Sequence, residues 1–484
     1  MSNKNEFEAV IGLEVHAQLS TRSKAYSSDL AEYGGLPNTH ISTITLGHPG
    51  TLPRINKRVA EFAMRMGIAC HSEISRYNIY DRKNYFYPDL PKGYQITQDK
   101  TPICKGGYVT ITLKDGSEKD IEITRIHMEE DAGKSMHIDG QEESFVDFNR
   151  AGVPLIEIVS EPVIKNADEA AAYMMEIRKL VRYLDICDGN LEEGSLRCDA
   201  NISVRPKGAD YFNKKVEVKN MNSFKNVHRA ISHEIERQTK LYSEGGTVEH
   251  SETRNFDPVS GNTIPMRIKE EMNDYRYFPE PDLPPLVIDE EWIEKVKSEM
   301  PALPRELYRK FRDEYKLPKY DAGVLTESKG IANYFEELCA QTDNKKQASN
   351  WVMGPVKSYL NDLTLDIQKF PISAKRLSEL LHLINEGKLS NSIAEQRIFP
   401  EMIKNANKNA ETIAGEMNLL LDSDGHDVGD QIDEILSKFP EKVAEYKNGK
   451  KGLLGMFMGQ LMKETKGKLD PKTANRLLTE KLEN

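Results

Sequence analysis

Near the N-terminus the chain reads Glu8-Ala9-Val10-Ile11-Gly12-Leu13-Glu14-Val15-His16, and this stretch decides the fold class. In a β-strand successive side chains point to opposite faces. The odd positions Ala9, Ile11, Leu13 and Val15 are all apolar, while the even ones end in Glu14 and His16. One face therefore belongs to a core, and the other carries a carboxylate beside an imidazole. Leu196–Arg205 repeats the pattern. Leu196, Cys198, Ala200, Ile202 and Val204 form one face; Arg197, Asp199, Asn201, Ser203 and Arg205 form the other. Val216-Glu217-Val218-Lys219 sets Glu217 beside Lys219. If these strands adjoin in one sheet, they make a concave acidic surface. A sheet with one wet face explains this much by itself. Yet the polar faces carry Glu, His, Asp, Asn and Arg in place of the threonines and lysines usual in inert strands. Clustered carboxylates repel one another unless a cation sits among them. Oxygen ligands with one imidazole suit Mg²⁺ or Mn²⁺ better than zinc.

Further strands are predicted at Gly107–Leu113 and Asp120–Met128, with Asp115-Gly116 between them as a hairpin turn. A helix begins near Asn166, where Glu169 supplies a variant of the capping box, and Ala170, Met174, Ile177, Val181 and Leu184 recur at helical spacing. A second helix presents Val227, Ile231, Ile235, Gln238 and Tyr242 before Gly245-Gly246 stops it. Strands in clusters with helices grouped apart indicate α+β rather than strict βαβ alternation. The proline-rich Tyr277–Pro285 reads as extended chain ending a domain. After Asp289 the sequence is almost wholly helical. Leu377, Leu380, Leu381 and Ile384 make one apolar stripe, and a last boundary is expected near Asn405–Lys408. Charge is segregated beyond it. Residues 401–441 carry 3 basic and 10 acidic side chains, and residues 442–481 carry 10 and 4.

The whole chain has 484 residues, with 66 basic and 77 acidic side chains and a net charge of −11. Such a balance excludes a simple coat for nucleic acid but allows a local basic patch. Five cysteines without a CxxC pair indicate neither a disulfide framework nor a thiolate zinc site. The first residues lack the apolar run of a signal peptide, and no run approaches a membrane span, so a cytoplasmic protein is expected.

Other segments carry weaker signals. His127–Ser135 has three consecutive acids and then Gly133-Lys134-Ser135, but Met128 stands where a Walker motif requires glycine. A turn whose amides, Lys134 and Ser135 meet phosphate stays open beside that failure. Asp81–Gln95 and Asp274–Pro279 interleave bases with aromatics, a texture equally suited to stacking on a nucleotide or to a buried aromatic loop. Neither a zincin motif around His233 nor a Gly-x-Ser-x-Gly elbow occurs.

Taken in order, Ile11–His16, Asp81–Gln95, His127–Ser135, Asn149–Glu157, Glu192–Asn201 and Asp274–Asp282 closely resemble the B subunits of the aspartyl/glutamyl-tRNA amidotransferases. The resemblance runs from about Phe7 to the C-terminus. It implies an antiparallel-sheet cradle over residues 1–292, a helical domain over 293–405 and a YqeY-like helical tail over 406–484. It implies ATP and Mg²⁺ as cofactors, and a heterotrimer in which the other two members are an amidase and a small third chain. The reaction it implies is phosphorylation of the side-chain carboxylate of Glu-tRNA(Gln) or Asp-tRNA(Asn), followed by amidation with ammonia that the amidase releases from glutamine. The family's metal ligands map onto Glu14, His16, Glu130, Asp199 and Glu217. Of these, Glu130 fits regular alternation least, since Glu129 would share a face with His127 unless a bulge or the strand's end intervenes. Arg82, Lys83, Lys134, Ser135 and Arg197 are candidates for the nucleotide's phosphates. Lys447, Lys450, Lys451, Lys463, Lys466 and Lys468 in the basic tail are candidates for tRNA.

Two other classes compete with this reading. A tRNA-binding protein without chemistry gains nothing from four acids that repel phosphate. A two-metal nuclease would use the acids but would cut the RNA, whereas the amidotransferase releases phosphate from ATP and leaves tRNA intact.

Overall fold

The computed structural model describes residues 6–137, 143–268, 275–420, 426–464 and 471–483. The chain divides into two compact units, Met1–Leu303 and Pro304–Asn484. The first is built on a ten-stranded sheet whose middle strand is Phe7–Gln18. On one side of it lie Leu196–Pro206, Val216–Lys219, Glu252–Phe256 and Thr263–Ile268 in that order. On the other lie Pro154–Ser160, Glu118–Glu130, Cys104–Lys105 and Glu73–Ile74, and Tyr108–Thr112 also pairs with Glu118–Glu130. Neighbours run antiparallel except Val216–Lys219 with Glu252–Phe256, which are parallel. The fold is α+β, as the clustering of strands implies.

Alternation sorts the two faces as expected. Ile11, Leu13, Val15, Leu196, Ala200, Ile202, Val216 and Val218 are fully buried in one core. Helices Lys57–Ala69, Ala167–Tyr183 and Phe224–Ser243 supply the other half of that core. The cap at Asn166 forms as read, its side chain accepting from the Glu169 N–H at 2.9 Å. Glu169 reaches back to the Lys165 N–H at 2.9 Å, so both carboxylate and cap satisfy donors at the helix start. The Asp115-Gly116 turn also forms, with Gly116 at φ 81°.

The proline-rich segment differs from expectation. Arg276–Pro279 is a strand paired with Asp81–Asn84, which pairs in turn with Tyr94–Thr97 in a small three-stranded sheet. The two aromatic and basic segments are thus one structure. The chain stays extended here, but it does not leave the unit. Leu283, Ile293 and Val296 are buried in the first core, which carries that unit on to Leu303.

The second unit is helical. Leu377, Leu380 and Leu381 are buried, as their stripe implies. Ala410–Glu416, just past the boundary expected at residues 405–408, packs against Ala374–Asn385 and Phe399–Lys404. Ile432, Ile435, Tyr446, Phe457, Leu461, Ala474, Leu478 and Leu482 close a separate small core at the C-terminal end. Among the described residues no helix is long and apolar enough to cross a membrane.

The middle strand anchors the first unit, so truncation there is costly. Leu13→Ala removes a side chain with 0% exposure and should destabilise the first unit by about 2–5 kcal/mol in urea unfolding. A change under about 1 kcal/mol would mean that the sheet's apolar face is not the core.

Candidate functional site

The polar face of the sheet brings the acids together by register. Glu14 lies opposite Asp199 on one neighbouring strand, and His16 lies opposite Arg197 there and Glu157 on the other side. Glu157 in turn faces His127, and Leu155 faces Glu129. Glu217 pairs with Asn201 one strand further out. Two clusters result. Glu14, Asp199 and Glu217 each offer an oxygen within 4.8 Å of the others, and His16, Glu129 and Glu157 each offer a ligand atom at the same spacing. Both line one cavity of about 760 Å³, along with Lys83, Arg150, Arg197 and Lys219.

Each cluster has a built-in counter-cation. The Lys219 ammonium donates to Asp199 at 2.6 Å and lies 3.2 Å from Glu217. Burial alone would lower its pKa, but these two carboxylates outweigh burial and hold it above the ordinary value. In the other cluster His127 Nε2 is 3.0 Å from Glu129 and 3.0 Å from Glu157. Burial opposes its charge, yet the two carboxylates push its pKa up to about 9. The imidazolium holds both acids below the usual carboxylate range against their own burial. Glu129 also accepts from Thr97 at 2.9 Å. Among the described residues Glu14 has no such close ammonium or imidazolium pair, although Lys215 lies near enough to lower its pKa somewhat. Its burial, with Glu157 nearby, raises its pKa, and the Asn201 amide at 2.8 Å offsets this only in part.

These residues suit a hard divalent cation. Five carboxylates and one imidazole are the donors that oxygen-seeking ions take. His16 Nε2 is 3.7 Å from Glu157, too far for a hydrogen bond, so its ring nitrogen is not committed to that carboxylate.

The structure corrects the position of one expected ligand. Glu130 faces away from both clusters. It accepts from the Ile96 N–H at 2.9 Å, pairs with Lys92, and lines a separate cavity of about 260 Å³. Pairing with residues 154–159 stays in register from Arg125 to Glu130, and the register shift lies further back, between Val159 and Ser160, so no bulge turns the Glu130 side chain and Glu129 takes the inward position. Among the phosphate candidates, Lys83 and Arg197 line the large cavity. Arg82 instead forms a two-pronged pair with Glu280 at 2.7 and 2.8 Å and lies over the Tyr94 ring. Lys134 and Ser135 are exposed on a two-stranded hairpin and do not line that cavity. In the tail Lys447, Lys450, Lys451 and Lys463 are exposed. Lys450 pairs with Glu445 and Lys451 with Glu483. Lys466 and Lys468 lie outside the described residues.

Sequence reasoning set Glu129 on the His127 face without assigning it to the site, and it missed Glu157, Asp131 and Arg150. Asp131 sits buried between Arg197, at 2.9 Å, and Arg150, at 3.7 Å. Glu157 had a readable signal, as the single acid in the apolar run Pro154–Ser160. Asp131 and Arg150 lie just outside the regular strands, where no periodicity reports a side chain's direction.

Residues 9–294 match the GatB/GatE catalytic domain family, and residues 333–482 match the GatB domain family. The second match spans the helical unit on both sides of the boundary expected near residue 405. The chain is 48% identical over 473 residues to the aspartyl/glutamyl-tRNA(Asn/Gln) amidotransferase B subunit of Thermodesulfovibrio yellowstonii, covering 98% of each. It is 49% identical over 479 residues to the protein of the same name from Moorella thermoacetica, covering 99% of this chain and 100% of that one. With the namesake from Caldicellulosiruptor bescii it shares 47% over 481 residues, 99% of each.

The unbalanced Glu14 carboxylate makes a thermal prediction. In chelator, Glu14→Gln should unfold at a higher temperature than the wild type, because it removes a buried charge repelled by its neighbours while keeping the Asn201 contact. Added Mg²⁺ should raise the midpoint of the wild type more than that of the variant. A variant less stable than wild type in chelator would contradict this electrostatic reading.

Proposed function

The chain belongs to the family of aspartyl/glutamyl-tRNA(Asn/Gln) amidotransferase B subunits, and we propose on that premise that its sheet cavity activates and amidates the amino acid on a misacylated tRNA. The carboxylate of Glu-tRNA(Gln) or Asp-tRNA(Asn) attacks the terminal phosphorus of ATP, and ADP leaves. Ammonia then attacks the acyl carbon of the mixed anhydride, loses a proton, and phosphate leaves with the C–O electrons. Activation is needed because an unphosphorylated carboxylate has only oxide or hydroxide to expel.

The observation that carries this reading is the pair of carboxylate clusters in one cavity with cationic side chains. Glu14, Asp199 and Glu217 would hold one magnesium ion, and His16, Glu129 and Glu157 another. Held by these residues, magnesium would supply neutralisation of the triphosphate during transfer of its terminal group. Lys83 and Arg197 bind phosphate oxygens, and Lys219 pairs with Asp199 and Glu217. Asp131 orients the Arg197 guanidinium from behind. The nucleophile in the first step belongs to the substrate, so the cavity requires no serine or thiolate. Burial raises the pKa of its one lining thiol, Cys198, far above the ordinary value.

A separate amidase supplies ammonia, a small third chain completes the heterotrimer, and the assembly works in the cytoplasm. The exposed lysines of the tail contact the tRNA body. A pure RNA binder is disfavoured, since clustered acids repel phosphate.

Two experiments on the assembled complex test this. Asp199→Asn should slow tRNA-dependent release of phosphate from ATP on the order of a hundredfold or more, the scale on which lost charge stabilisation acts. Near-normal release would remove that cluster from the mechanism. Lys447→Ala with Lys463→Ala should weaken tRNA binding and flatten its logarithmic salt slope by up to about 2. An unchanged slope would leave the tail without a phosphate contact at those positions.

A further inference from the structure

Beside the acidic cavity, and sharing Glu14 with it, lies a groove of about 550 Å³. Its floor includes Val10, Gly12, Val159 and Pro162. Its rim is the loop Lys207–Lys215, which joins two strands of the acid-bearing sheet. That loop is held in shape. Arg205 donates to the Tyr211 carbonyl at 3.3 Å, Ser203 to the Asn213 carbonyl at 3.1 Å, and Asn213 to the Val204 carbonyl at 2.7 Å. Nevertheless Phe212 is 66% exposed and Tyr211 52%. The Arg205 guanidinium lies 5.3 Å from the Phe212 ring centre. Around these rings the loop carries Lys207, Lys214 and Lys215 against one acid, Asp210.

We propose that this groove seats the unpaired 3′-terminal nucleotides of the aminoacylated tRNA, with Phe212 as the stacking surface and Lys214 and Lys215 on the backbone phosphates. Resting as it does on the function proposed above, the assignment names where that substrate's end lies. Three observations carry it. Ordered aromatic faces among lysines form the surface on which single strands bind without sequence readout. Groove and cavity meet at Glu14, so a nucleotide in the groove holds its esterified amino acid beside the acidic cluster. Gly12 keeps the floor open although packing does not demand glycine there. An added Cβ would meet nothing closer than 3.6 Å, and its backbone is not in the left-handed region. The triphosphate is served by the cations inside the large cavity, whereas the groove's lysines stand outside it along an open edge.

The test uses the assembled complex and two RNA probes, the intact tRNA and the same tRNA trimmed of its last three nucleotides. Wild type should bind the intact form roughly tenfold or more tightly, the scale of one base stacked on an aromatic ring. Phe212→Ala should abolish that difference, and Phe212→Trp should restore it. Gly12→Leu, which fills the floor, should act like Phe212→Ala. In amidation assays Phe212→Ala should raise KM for aminoacyl-tRNA about tenfold and leave KM for ATP unchanged. Equal preference for intact tRNA in wild type and Phe212→Ala would overturn the assignment. A raised KM for ATP alone would give the groove to the nucleotide's base and overturn it too. Failure of the function itself reads differently: wild type would then amidate neither misacylated tRNA, while the binding comparison would still decide the groove.

Discussion

Five carboxylates share one face of one sheet, and their mutual repulsion is the constraint that the rest of the first unit accommodates. The sheet cannot avoid it, because register fixes which side chains stand opposite each other. Once Phe7–Gln18 pairs with its two neighbours, Glu14 meets Asp199 and His16 meets Glu157. The apolar face pins that register, since a one-residue slip would turn Ile11, Leu13 and Val15 into solvent. Core and site are thus two consequences of one pairing.

The protein answers the repulsion with cations of its own. His127 stands between Glu129 and Glu157, and Lys219 between Asp199 and Glu217. The His127 contacts hold Glu129 and Glu157 below the usual carboxylate range, in the ionised form that a metal ligand needs. Among the described residues Glu14 has no close ammonium or imidazolium pair of this kind, and burial together with Glu157 raises its pKa. A ligand set that the protein's own cations neutralise only in part favours the arrival of a cation, at a cost to the fold's stability until the cation binds.

Much of this was legible in the sequence because strands advertise their faces. Glu14, His16, Asp199, Glu217 and Lys219 followed from period-two alternation, and the structure brings them to one cavity. The reading stopped where alternation stops carrying information. Glu130 came from resemblance, while alternation put Glu129 on the face of His127, and pairing that stays in register from Arg125 to Glu130 keeps it there. The helix Lys57–Ala69 went unread although Val59, Phe62, Ala63 and Met66 recur at helical spacing. The pairing of Arg276–Pro279 with Asp81–Asn84 joins segments far apart in the chain, and no local pattern reports such a partner. It turned an expected domain end into an internal strand. Arg82 illustrates the same limit: a basic residue among aromatics suggests phosphate, but its partner Glu280 comes from that distant segment.

Counting bound divalent ions tests the central claim most directly. Mn²⁺, used as a spectroscopic stand-in for Mg²⁺, can be titrated into the full-length protein with free ion followed by electron paramagnetic resonance. The account predicts two saturable sites per chain, one lost in Glu217→Gln and the other in Glu157→Gln, with Glu130→Gln retaining both. Absence of saturable binding, or loss of a site in Glu130→Gln while Glu157→Gln keeps two, would contradict it.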